Sequence, residues 1–212
     1  ALSSRSFRYT WSRTSVLPPF EAREVLASSG AALKVEQGPD SRLYFGGIFE
    51  NAAGIDEADS LVVWDGVNWS AIGSDGFGDG ALNFGSIIYD IAFSPSGQLF
   101  ISGYLHLRGD SNLHGVLMWN GTNWSPLGGG INDIVFGMDF DTAGNLIVVG
   151  DFESAGGVAV SNMARWDGTA WSAVSPVSFN GDIFSVHVDN DEIFVIGDFS
   201  NLDGIDEADG VA

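Results

Sequence analysis

The sequence contains no cysteine. Disulfides, thiol nucleophiles and thiolate metal centres are thereby excluded. The compartment is not decided, because disulfide-free proteins occur both inside and outside cells. Positive charge is scarce: 8 lysines and arginines face 28 aspartates and glutamates, a formal net charge of −20. Such a chain is repelled by nucleic-acid phosphates and by anionic bilayers, so neither is an expected partner. Histidine is limited to His106, His114 and His187, with no nucleophile motif or metal-ligand spacing around them. No apolar run is long enough for a transmembrane helix or a signal peptide. Gly76-Phe77-Gly78-Asp79-Gly80 lacks the lysine and the following helix of a phosphate-binding loop.

The few cations are unevenly placed. Arg5, Arg8, Arg13, Arg23 and Lys34 outnumber Glu21 and Glu24 near the start, and only Arg42, Arg108 and Arg165 follow. Residues 1–30 read as a basic arm. Phe7, Tyr9 and Trp11 alternate with polar residues as a strand does, Pro18-Pro19 breaks regular structure, and 20–28 is compatible with a short helix.

What is abundant is glycine, 29 residues of 212, and it is periodic. Trp64-Asp65-Gly66-Val67-Asn68-Trp69-Ser70 returns as Trp119-Asn120-Gly121-Thr122-Asn123-Trp124-Ser125 and as Trp166-Asp167-Gly168-Thr169-Ala170-Trp171-Ser172. Asp-Gly or Asn-Gly reaches positive φ cheaply, as a tight hairpin requires. A second motif, an apolar strand closing on glycine, places Gly47, Gly103, Gly150 and Gly197 at intervals of 56, 47 and 47 residues. A third precedes it: Tyr89, Ile91 and Phe93 alternate with Asp90 and Ala92, Phe136, Met138 and Phe140 with Gly137 and Asp139, and Phe184, Val186 and Val188 with Ser185 and His187. Period two is a strand signature and predicts one large apolar face in each.

Each unit thus reads as four antiparallel strands in about 47 residues, and a four-stranded repeat of this period predicts an all-β fold, the β-propeller. The expected division is an arm over 1–30 and repeats over 31–212, with blades near 31–75, 84–128, 131–175 and an incomplete 181–212. Two readings of the incomplete blade stand open: a chain cut from a longer protein, or a strand at 6–12 that completes the last blade. The indoles are expected to wedge neighbouring sheets, since one such sheet is apolar on both faces.

The run of Gly-Gly, aromatic-Asp turn and following tryptophan, seen in Gly46-Gly47, Trp64-Asp65 and Trp69, resembles the kelch repeat. Gly150-Asp151-Phe152 through Ala155-Gly156-Gly157 to Trp166-Asp167-Gly168 and Trp171 is similar to tandem repeats of secreted bacterial surface proteins. The resemblance covers about residue 40 to the end. It implies an extracellular or cell-envelope setting and a non-catalytic structural or interaction role with a protein partner or larger assembly. The copper chemistry of galactose-oxidase-like kelch enzymes does not carry over, for want of the crosslinked cysteine.

Three groups are candidate sites. Trp69, Trp124 and Trp171, if exposed while Trp64, Trp119 and Trp166 are buried, would serve as carbohydrate platforms, against the plainer expectation that all six pack between blades. Two identical acidic loops, with Asp56, Glu57 and Asp59 in one and Asp206, Glu207 and Asp209 in the other, offer oxygens for Ca2+, against the plainer expectation of solvated loops and no cofactor. Arg108-Gly109-Asp110 is an integrin-type tripeptide that short loops also produce by chance.

Overall fold

The computed structural model describes residues 30–73, 80–83, 85–110, 112–174, 179–200 and 210. Residues 1–29 of the basic arm, with the strand at 6–12 and the helix expected over 20–28, and the acidic loop at 204–209 lie outside them, while Gly30 already belongs to the first strand.

Alternating apolar sequence with glycine turns becomes antiparallel sheet throughout. The first sheet holds β1 (Gly30–Gln37), β2 (Leu43–Phe49), β3 (Leu61–Trp64) and β4 (Trp69–Ser70) in chain order. The second repeats this with β5 (Ile87–Phe93), β6 (Leu99–His106), β7 (Leu113–Trp119) and β8 (Trp124–Pro126). The third has β9 (Ile134–Phe140) and β10 (Leu146–Asp151), then a small hairpin of β11 (Ser154–Ala155) and β12 (Val158–Ala159), then β13 (Met163–Trp166) and β14 (Trp171–Ala173). β15 (Ile183–Asp189) and β16 (Glu192–Gly197) pair as the start of a fourth.

Three cores form between sheets, and a fourth, of Phe45, Phe49 and Val62 with Ala52 and Ala58, lies between the first sheet and its own loop. Tyr44, Leu61 and Val63 of the first meet Ile88, Ile91 and Ile101 of the second. Phe100 and Val116 of the second meet Val135, Met138 and Val148 of the third. Ile147, Val149 and Met163 of the third meet Ile183, Val186 and Val195. Consecutive residues of one strand, such as Ile147 and Val148, therefore enter different cores, as the period-two geometry of a two-sided sheet demands.

In one respect the first strand of each sheet departs from simple alternation. The register of β1, β5, β9 and β15 against its glycine strand slips by one residue, leaving Leu33, Tyr89, Phe136 and Phe184 as bulge residues. The core residues are Ile88 and Ile91, Val135 and Met138, Ile183 and Val186, each pair flanking the bulge. Tyr89, Phe136 and Phe184, expected on the apolar core face, are instead turned out of every core cluster, because the extra residue resets the pleat.

The bulge also explains the spaced glycines. Gly47, Gly103, Gly150 and Gly197 sit directly opposite it. A Cβ on any of them would collide with the carbonyl oxygen of Ala31, Ile87, Ile134 or Asp182, closer than real Cβ contacts allow. The glycines are fixed by a partner's carbonyl rather than by turn chemistry.

Candidate functional site

The tryptophan hairpins come out as wedges. Asp65 Oδ1 accepts the amides of Val67 and Asn68 at 2.8 and 2.7 Å, Asn120 Oδ1 those of Thr122 and Asn123 at 2.9 and 2.8 Å, and Asp167 Oδ1 those of Thr169 and Ala170, both at 2.8 Å. Gly66, Gly121 and Gly168 take φ of 101°, 97° and 94°. The backbone amides of Asn68 and Val67 hold the Asp65 carboxyl below the usual aspartate range, and those of Ala170 and Thr169 do the same for Asp167.

Ring centroids within the three indole pairs lie 5.1, 5.2 and 5.3 Å apart at 48–50°. Trp124 and Trp171 are 8% and 6% exposed. Their indole N–H groups donate backwards to the preceding sheet, Trp171 to the carbonyl of Leu127 at 3.0 Å and Trp124 to that of Ile72 at 3.5 Å. The following Gly73 and Gly128 pack against the indoles of the next pair, where a Cβ would clash. The arrangement with an open second tryptophan, which a sugar platform requires, is therefore not the one adopted at Trp124 or Trp171. Trp69 is half-buried against Trp64 and Phe45.

The described acidic loop is compact. Asp59 Oδ1 accepts the amide of Asn51 at 2.9 Å, the amide of Ala52 donates to the carbonyl of Ala58 at 3.1 Å, and Ala52 and Ala58 are fully buried. Asp59 is thus a staple of the loop, while Asp56 is exposed. Among the described residues, no group of three or more acidic or histidine side chains is arranged to hold a metal ion. In the Arg108-Gly109-Asp110 turn, Asp110 is engaged locally: it accepts from the Asn112 amide at 2.9 Å and meets Nε2 of the buried His114 at 3.0 Å. Asp141, in the sequence that opens like a calcium loop, is spent on a hairpin turn, accepting both nitrogens of Asn145 at 2.8 and 2.7 Å.

The feature that gathers the most chemistry is one that motif spacing did not mark as a site. The first strands of all four sheets, β1, β5, β9 and β15, line a single groove of about 480 Å³. Its walls are tied by aspartates that reach from one sheet to the next. Asp90 accepts Lys34 Nζ at 2.7 Å, its neighbour's amide at Ile91 at 2.9 Å, and the amide of Met138 at 2.9 Å. Asp139 accepts the amides of Phe140 and Val188, both at 2.8 Å, and meets His187 Nδ1 at 3.0 Å. Each carboxylate caps an edge strand that would otherwise present bare amides, and pins it to the next sheet. His187 is held on the polar face of its strand, opposite Asp139, at the place its sequence register implies. Asp90 and Asp139 were visible in the alternation, but their span to another sheet leaves no local signal.

Around them the field is acidic. Burial raises the Glu36 carboxyl above the usual glutamate range, Asp90 adds to this, and Lys34 opposes it. Burial works against the Lys34 ammonium, yet Asp90 and Glu36 together keep it above the ordinary lysine value. Away from the groove lining, burial, then the charges of Asp151, Asp198 and Asp133, raise Asp182. At the rim, Tyr89 and Phe136 meet edge-on with centroids 5.3 Å apart, and Phe136 and Phe184 with centroids 5.8 Å apart.

No helix among the described residues is long and apolar enough to cross a membrane. No family model matches the sequence, and no curated protein matches it. Among solved structures, the chain is similar to PorZ, described as an essential bacterial surface component of the type-IX secretion system of human oral-microbiomic Porphyromonas gingivalis. The likeness has a TM-score of 0.50 at 11% identity, over 92% of this chain and 28% of PorZ. The chain thus spans well under a third of that protein's length, and what the two are shown to share is an all-β fold of antiparallel sheets.

Proposed function

We propose that the sheets are consecutive blades of a kelch-like β-propeller, and that the chain serves as a non-catalytic structural or protein-interaction module on the bacterial surface or in the cell envelope. One observation carries the reading. Successive sheets pack through equivalent positions of their first strands, Ile88 and Ile91, Val135 and Met138, Ile183 and Val186, and the four first strands line one groove, as blades around an axis do.

Two further points support it. Asp90, Asp139, Asp141 and Asp110 are committed to hydrogen bonds within the fold, so the obvious acids serve architecture. The setting agrees with the surface location stated for PorZ. A protein partner or larger assembly fits such a module, because propellers act mainly through what their surfaces hold.

Surface labelling of intact producing cells, followed by chemical crosslinking, tests this. The expected result is labelling of the protein from outside and a discrete crosslinked adduct with another protein. Recovery only from the unlabelled cell interior would contradict it.

A further inference from the structure

The bulge places an apolar residue outside the core in all four sheets: Leu33, Tyr89, Phe136 and Phe184. These side chains lie outside the inter-sheet cores, and Tyr89, Phe136 and Phe184 contact one another instead. Phe184 is nevertheless 49% exposed and Leu33 38%. Tyr89, Phe136 and Phe184, the first two half-buried, form an apolar strip along a concave groove of about 480 Å³. That volume lies within the range of small-ligand sites, and contiguous exposed apolar strips mark interaction surfaces.

The polar lining narrows the ligand. Glu36, Asp90 and Asp139 face one lysine, Lys34, and one histidine, His187. Asp90 and Asp139 are engaged by backbone amides of the next sheet and by these cations, while Glu36 pairs with Lys34 at 3.6 Å. An anionic ligand is disfavoured, and a cation gains from Glu36. The rings meet edge to face at 68° and 69°, so they offer slots for a side chain rather than the coplanar faces that a row of sugar rings needs.

We propose that this groove binds an extended peptide, with an aromatic or aliphatic side chain against Tyr89, Phe136 and Phe184 and a lysine or arginine beside Glu36. The proposal rests on the interaction-module reading above and names the chemistry of its partner.

The test is chemical-shift mapping on the isotope-labelled 212-residue chain with acetyl-Phe-Ser-Lys-Ser-amide, and with the Lys-to-Glu peptide as control. Saturable shifts are expected at the amides of Gly137 and Ser185. The glutamate peptide should bind about tenfold more weakly. Phe184→Ser should weaken the lysine peptide about fivefold, and Glu36→Gln should erase the preference for lysine over glutamate. Both side chains lie outside the cores, and unchanged spectra elsewhere show that the variants are folded. Absence of saturable groove shifts, equal binding of the two peptides, or shifts produced by cellohexaose and not by the peptide would overturn the assignment. If the peptide fails while surface crosslinking succeeds, only the groove falls. If the peptide binds a protein confined to the cell interior, the surface-module reading falls instead.

Discussion

Ile147 and Phe194 occupy the same position in successive repeats, three residues before the glycine of the glycine strand. Ile147 is fully buried and Phe194 is 48% exposed. Their sheets pair in the same register, each against its own first strand. The difference lies in the neighbour: Ile147 is covered by Ile183 and Val186 of the next sheet, as Phe100 is covered by Val135 and Met138. Ile196, 57% exposed, stands in the same relation to the fully buried Val149. At these positions burial comes from the next sheet, whereas in the first sheet Phe45, Phe49 and Val62 are buried against Ala52 and Ala58 of its own loop.

The comparison can be broken or sharpened at several positions. The largest effect is expected where a covered sheet loses its bulge geometry. Gly150→Ala should cost about 3 kcal/mol, because the Ile134 carbonyl cannot yield. In an exposed turn Gly66→Ala should cost only about 1 kcal/mol, with open space around its Cβ. Denaturant titration of the two variants reads the difference.

Next come the indoles. Trp171→Phe removes a buried N–H bond to Leu127 and part of the wedge between the second and third sheets, and should cost about 2 kcal/mol. Trp69→Phe, half-buried on the first sheet, should cost about half as much by the same titration.

A gain is expected at Ser102. Its hydroxyl is fully buried and makes no hydrogen bond, at the position that Val149 holds in the next repeat. Ser102→Val should raise stability by about 1 kcal/mol, seen as a higher melting temperature. A loss would mean that this interface is polar in solution.

The smallest effect concerns pH. The Asp65 and Asp167 carboxyls are depressed by the amides they accept, so their contribution to folding is full above the ordinary aspartate value. It is lost as pH falls through their lowered folded values. Asn120 holds the corresponding turn of the second sheet without titrating. The amide shifts of Asn68 and Ala170 should therefore titrate with midpoints below the normal aspartate range, while that of Asn123 stays flat. Asp65→Asn should make the first turn behave like the second.

Most of the architecture is legible in the chain because it is local. The Asp-Gly and Asn-Gly hairpins, the period-two strands and the glycine intervals all report on neighbours within a few residues. The bulge was less legible: Ile88-Tyr89, Val135-Phe136 and Ile183-Phe184 look like continued alternation, and only the opposing glycine hints that a carbonyl swings across. The groove was not legible. Asp90 meets Met138, and Asp139 meets Val188, some 50 residues on, and nothing in local spacing marks so distant a partner. The tryptophans show the same limit. Their pairing could be read, but the burial of Trp124 and Trp171 depends on the sheet before each.

The most direct measurement is paired guanidinium unfolding of Ile147→Ala and Phe194→Ala. If adjoining sheets confer burial, Ile147→Ala lowers stability by about 3 kcal/mol and Phe194→Ala by less than about 1 kcal/mol. Equal losses at the two positions would show that Ile147 gains nothing from the sheet beside it, and would contradict the packing of the third sheet on the fourth.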